Sequence, residues 1–177
     1  MQFQKIGKTV RIYPLAKILN SEVISIGNNV IIDDFVFLMG GEETKIGNYV
    51  HIASFCSITG GGRFIMEDFS GLSSGCRIYT GTEDFSGLSL TNPTIPPEFR
   101  NVIRAFVIIR KHAILGANTV VLPRVTIGEG AAIGANSLVT KDVKPWTICA
   151  GSPAKLIKRR PKEKIMEMEK KLYEKYG

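Results

Sequence analysis

Aliphatic residues recur every six positions through the second half of the chain: Ile109, Leu115, Val121, Ile127, Ile133 and Val139. Four places after each stands a small or β-branched residue: Ala113, Thr119, Val125, Ala131, Ser137 and Val143. Glycine follows directly at Gly116, Gly128 and Gly134. This period is neither that of an amphipathic strand nor that of a helix, and a fixed repeat of this kind predicts a solenoid. Each unit reads as one short strand and a corner, three units closing one turn of a triangular β-helix. The aliphatic residue fills the interior and the residue four later lies near a crowded corner. Glycine and asparagine beside it suit tight turns, where a positive φ is cheap for them.

The same register runs upstream through Ile26, Val30, Ile32, Val36 and Leu38, then Ile46, Val50, Ile52, Cys56 and Ile58. Between these blocks the count slips, and the intervals through Ile65 to Leu72 imply corner insertions that bulge outward. After Ile78 the repeat stops, to resume near Ile109. The interval 84–104 contains Thr91-Asn92-Pro93-Thr94-Ile95-Pro96-Pro97, which no strand ladder accepts. It predicts a loop extruded from the prism, and loops this long in compact domains are usually functional or disordered. The expected organisation is one domain over 1–177. It divides into an N-terminal segment (1–25), a hexapeptide-repeat β-helix (26–160) and a C-terminal capping helix (161–177).

Composition narrows the class. The chain of 177 residues has no Gly/Ser- or Pro-rich linker, and no apolar run approaches the length of a membrane span. The first 18 residues lack the apolar core of a secretory signal. Three cysteines is an odd number, and Cys56 and Cys76 fall at corner positions that want a small residue. Buried free thiols and a cytoplasmic location are expected. No Cys/His spacing resembles a zinc site, so no metal is expected. Residues 155–177 carry nine Lys or Arg against four Glu, which accounts for most of the net charge of +7. Ile165, Met168, Leu172 and Tyr176 form a helical stripe there, opened by Pro161. The preceding cluster, Lys155, Lys158, Arg159 and Arg160, has no interleaved aromatics for stacking nucleic acid. A phosphorylated small molecule is its expected partner. Gly71-Leu72-Ser73-Ser74-Gly75 matches the nucleophile-elbow pattern, but it sits inside the repeat rather than on a strand–turn–helix.

Three features together resemble the hexapeptide-repeat acyltransferases. They are the repeat, the string from Ile127 to Ser137, and the ending Thr140-Lys141-Asp142-Val143 through Ala150-Gly151-Ser152-Pro153-Ala154-Lys155. The similarity is greatest to the O-acetyltransferase branch of maltose, galactoside and polysaccharide-modifying enzymes. The resemblance implies an all-β fold, a left-handed parallel β-helix, and a homotrimer with acetyl-CoA as co-substrate in the groove between neighbouring prisms. It implies small residues for the pantetheine arm at Ala117 and Ala135, and Thr140 and Lys141 beside the adenosine end. Lys155, with Lys158 beyond it, lies toward the phosphates, where compact cations reach well. Trp146 either stacks on the adenine or caps the last coil. Ile114 stands where the family often has an aromatic residue.

The catalytic base is the main departure. In the maltose and galactoside enzymes a histidine lies five residues after the last aliphatic residue before the loop; counting from Ile78 gives Glu83, with Asp84 beside it. Acetyl transfer to an alcohol needs a base for the hydroxyl proton, and an ordinary carboxylate is a weak one unless burial or a neighbouring charge such as Asp84 raises its pKa. Three readings stay open: Glu83 as base, a histidine (His51 or His112) as base, or none, which suits an amine acceptor. The expected activity is acetyl transfer to a hydroxyl of a sugar or cell-surface polysaccharide. The alternatives are N-acetylation of a nucleotide-linked amino sugar and a non-catalytic scaffold.

Overall fold

The computed structural model describes residues 2–176 and is a left-handed parallel β-helix with one helix at its C-terminal end. Three parallel sheets form the faces of the prism. The first face stacks strands Lys5–Ile6, Ile24–Ile26, Glu43–Ile46, Arg63–Met66, Phe106–Ile109 and Val125–Ile127. The second runs from Arg11–Ile12 through His51–Ile52 and Gly71–Leu72 to Thr147–Ala150, and the third from Lys17–Leu19 through Arg77–Tyr79 to Leu138–Val139. Equivalent residues are 20 apart in the first coils (Ile26 opposite Ile46, Ile46 opposite Met66) and 18 apart in the last ones (Ile109 opposite Ile127). The extra two residues of the early coils sit at the corner between the third face and the first, in segments such as Gly60-Gly61-Gly62.

The six-residue repeat fills the core as its spacing predicts. Ile109, Leu115, Val121 and Ile127 are wholly buried, and so are Ala113, Thr119, Val125 and Ala131 four places after them. Burial of each such aliphatic side chain contributes about 1.5–3 kcal/mol. The three cysteines are free and buried. Two boundaries differ from expectation. Strand Lys5–Ile6 pairs with Ser25–Ile26, and Arg11–Ile12 with Ile31–Ile32, so a coil precedes Ile26 inside the segment 1–25. Ile6, Ile12 and Ile18 keep the six-residue interval there, with Val10 and Ala16 four places after the first two, so the repeat extends one coil further than its expected start at Ile26. Ile65 does not point inward: Phe64 and Met66 do, at 1% exposure each. The four-residue strand Arg63–Met66 alternates inward and outward, and its register is set by pairing with Glu43–Ile46, not by the count from Ile58.

The helix, α1 (Glu163–Tyr176), lies along one edge of the prism and does not cover its open end. Tyr173 meets Tyr49 and Phe69 edge-on, at ring separations of 6.3 and 5.8 Å. Glu169 accepts from the Lys111 ammonium and from Nε2 of His112 at 2.7 Å. Burial would raise the Glu169 pKa, but these two partners outweigh it and hold the carboxylate below its usual range. The predicted Glu167–Lys171 pair forms at 2.6 Å, while Tyr176 is exposed rather than part of the packed stripe. The end of the second face is covered instead by strand Lys155–Arg159, which turns back antiparallel on Thr147–Ala150.

Candidate active site

The loop leaves the prism after strand Arg77–Tyr79 and returns at Phe106–Ile109. Its base is a short antiparallel pair, Gly81–Thr82 with Ile103–Arg104, so the extruded segment is 83–102. Glu83 and Asp84 open it, and their environments diverge. Asp84 is buried and turned into the loop. One of its carboxylate oxygens accepts from the N–H of Ser86 at 2.7 Å and from its hydroxyl at 2.5 Å; the other accepts from the N–H of Leu88 at 2.8 Å and from the Ser89 hydroxyl at 3.2 Å. The Ser86 hydroxyl and then the Ser86 N–H are the largest causes that lower its pKa to about 2. Asp84 is therefore an ionised loop organiser at neutral pH.

Glu83 pairs with the guanidinium of Arg100, across the loop. Its Oε2 is buried with no hydrogen-bond partner, as is Arg100 Nε. The charge facing Glu83 is thus a cation, not Asp84. Sequence reading missed Arg100, because nothing in a separation of 17 residues marks a partner; only the fold of the loop brings them together.

The histidines lie elsewhere. His51 stands on the outer side of the second face, with Nε2 3.0 Å from Asp33. It is half exposed, as its place between two core residues predicts. His112 is a buried corner residue with φ +60°, stacked on Phe69 at 5.0 Å. These two and the loop carboxylates form no common cluster.

At the C-terminal end, Thr140, Lys141 and Lys155 line one cleft of about 470 Å³, together with Val139, Pro153 and Ala154. Ala117 and Ala135 occupy successive coils at one corner, where the Asn136 N–H donates to the Ala117 carbonyl at 2.8 Å. Lys158 lies on the covering strand opposite Ile148, outside that cleft. Trp146 is at a different corner, its ring over Gly130 and 6.2 Å from His112. A Cβ on Gly130 would lie 2.4 Å from the indole, so the glycine makes room for the ring. Arg160 closes this corner from below, with Nη1 donating to the carbonyls of His112 and Gly130 at 3.0 and 2.9 Å. Of the basic cluster, Arg160 is thus a structural tie and Lys155 is the cation presented to the cleft.

A coiled prism with an extruded loop and a basic cleft at its end defines a class, and the chain belongs to the hexapeptide-repeat acyltransferase family. Residues 101–141 match the bacterial transferase hexapeptide (six repeats) family. The chain is 43% identical over 170 residues to dTDP-4-amino-4,6-dideoxy-D-glucose acyltransferase of Escherichia coli, covering 96% of this chain and 88% of that enzyme. It is similar throughout to AntD, an N-acyltransferase from Bacillus cereus solved with dTDP and 3-hydroxybutyryl-CoA. The TM-score is 0.91 and the identity 43%, over 98% of this chain and 91% of that one. A maltose O-acetyltransferase from Clostridium difficile 630 shares the fold alone, at 21% identity and TM-score 0.62, over 90% of this chain and 71% of that one. The expectation of an acyltransferase stands. The similarity favours the N-acyltransferase alternative over O-acetylation of a polysaccharide, since the relatives matched along nearly their whole length act on an amino sugar or are N-acyltransferases.

Proposed function

We propose that this protein transfers an acyl group from acyl-CoA to the amino group of a nucleotide-linked amino sugar, of the dTDP-4-amino-4,6-dideoxyhexose type. The observation that carries this reading is the 43% identity to an enzyme of that name along 88% of its length. The loop agrees with it. The position of the family's histidine holds Glu83, which is engaged by Arg100, and Asp84 is saturated by loop donors. A hydroxyl acceptor would need a base there. A neutral amine attacks the thioester carbonyl directly: the C–N bond forms, the C–S bond breaks, and the amine proton passes to the departing thiolate. Backbone N–H groups along the groove suit the oxyanion, and Thr140, Lys141 and Lys155 suit the nucleotide end of CoA.

The Bacillus cereus enzyme was also solved as variants at a serine and at an aspartate ten positions further on. Ser74 and Asp84 are the one serine–aspartate pair with that spacing here, and we assign them to the acceptor end of the site. They flank strand Arg77–Tyr79, and in this reading the acceptor lies between neighbouring copies of the chain. Phe85 and Leu88, 92% and 87% exposed near the start of the loop, are suited to that contact. The reading therefore includes a homotrimer. The three free thiols suit a reducing compartment such as the cytoplasm.

The test is an acceptor panel with acetyl-CoA and 3-hydroxybutyryl-CoA, read by thiol release and product mass. Turnover of dTDP-4-amino-4,6-dideoxyglucose and not of maltose or oligosaccharides supports the proposal; acylation of the hydroxyl acceptors alone refutes it. Light scattering on the same preparation reads the assembly.

A further inference from the structure

Two corners of the prism carry stacked aromatic residues, and only one of them is covered. At the first, Tyr49 and Phe69 stack at 4.9 Å, and α1 lies across them through Tyr173. At the second, Phe35 and Phe55 stack at 5.1 Å with their planes 6° apart, yet they remain 53% and 57% exposed. Both hold a positive φ (63° and 65°), a left-handed conformation that strains a bulky residue and that asparagine or glycine would adopt more cheaply. At the covered corner the helix offsets that strain; at the open one nothing among the described residues does. One coil beyond Phe55 the ladder holds Gly75, next to Ser74. Arg77 reaches back there, its Nη1 donating to the Phe55 carbonyl and, at 3.1 Å, to that of Gly75.

Resting on the acceptor assigned above, we propose that Phe35, Phe55 and Arg77 form the nucleotide end of the acceptor site. The nucleobase lies against the aromatic pair and the diphosphate meets the guanidinium. Thr140, Lys141 and Lys155 line their cleft at the C-terminal end of the prism, and Phe35 and Phe55 lie in its N-terminal coils, so in this reading the two nucleotides approach from opposite ends. Phe35 stands two coils above Ser74, roughly 10 Å at the spacing of neighbouring strands, a span that a diphosphate and a pentose bridge. Arg77 sits between the two levels, and only its Nη1 is engaged by the protein, which leaves the other N–H groups of the guanidinium for phosphate oxygens.

Isothermal titration of the intact protein with dTDP and, separately, with CoA tests this. In Phe35→Ala/Phe55→Ala the dissociation constant for dTDP should rise about tenfold or more, as loss of base stacking does, with CoA affinity and solution mass unchanged. Phe55→Tyr, which keeps the ring, should retain dTDP affinity. Unchanged dTDP affinity in the double variant overturns the subsite while leaving the acceptor assignment standing. So does a fall in solution mass with parallel loss of both ligands, which would make the pair a contact between copies. A wild-type protein that binds CoA but not dTDP removes the acceptor reading itself.

Discussion

Replacing Glu83 by glutamine separates a chemical role from a structural one. The substitution keeps the shape of the side chain and removes its charge, leaving Arg100 facing a neutral amide. Removing one partner of a fully buried pair costs about 3–5 kcal/mol, and an exposed pair is worth about 0–1 kcal/mol. Here the two side chains are 26% and 15% exposed, which places the cost at about 1–2 kcal/mol. At about 2–4 °C per kcal/mol for a chain of this size, Tm falls by roughly 2–8 °C, and the loop loosens. Under the proposed mechanism kcat falls less than about fivefold, because no proton passes through Glu83, and KM for the acceptor carries most of the effect. Arg100→Met should reproduce the same profile, since it breaks the same pair, and the double variant should be little worse than either single one. Steady-state kinetics with dTDP-4-amino-4,6-dideoxyglucose, with melting curves alongside, measure all of this. A drop in kcat of about 10²-fold or more in Glu83→Gln, with Arg100→Met mild and the alkaline-rising limb of the rate profile abolished, would refute the argument and make Glu83 the base.

Asp84 gives a pH dependence of definite sign. Its pKa, near 2 in the folded loop and lower than the usual carboxylate value, means that its contribution is complete above about pH 4. That contribution is lost as pH falls through 2, so Asp84→Asn should expose segment 83–102 to proteolysis at pH 7, with the difference from wild type vanishing near pH 2; equal cleavage rates at pH 7 would contradict it. Lys155→Ala should weaken CoA binding markedly and dephospho-CoA much less, with the gap narrowing at high salt; equal losses would place the lysine away from the 3′-phosphate. Gly130→Ala adds a Cβ 2.4 Å from the Trp146 ring at φ +62°, so it should cost about 2–4 kcal/mol from the left-handed strain and the displaced indole together, read as a lower denaturation midpoint with reduced burial of Trp146 fluorescence. A variant as stable as wild type would mean that the ring is not held there.

The repeat from Ile109 to Val143 was sufficient by itself to specify the solenoid, because in a coiled prism each inward position follows from local spacing and stacks on its own kind. The interrupting loop was equally plain, since its prolines exclude a ladder. The Thr140–Lys155 block could be recognised from sequence, and the structure gathers Thr140, Lys141 and Lys155 into one cleft. The inward turn of Phe64 and Met66 in place of Ile65 depended on pairing with the coil above. The first coil, by contrast, was legible in the sequence, since Ile6, Ile12 and Ile18 keep the six-residue interval ahead of the expected start at Ile26. Trp146 left two readings open in the sequence, stacking on an adenine or capping the last coil, and the fold sets its ring over Gly130 at a corner. The loop carboxylates differ most. Adjacent in sequence, Glu83 and Asp84 suggested mutual repulsion and a raised pKa, whereas the folded loop turns one to Arg100 and wraps the other in N–H and hydroxyl donors. Sequence determines which side chains a periodic backbone must bury. The charge state and partners of a polar group in an aperiodic loop depend on contacts distant in sequence, and only the tertiary structure decides those.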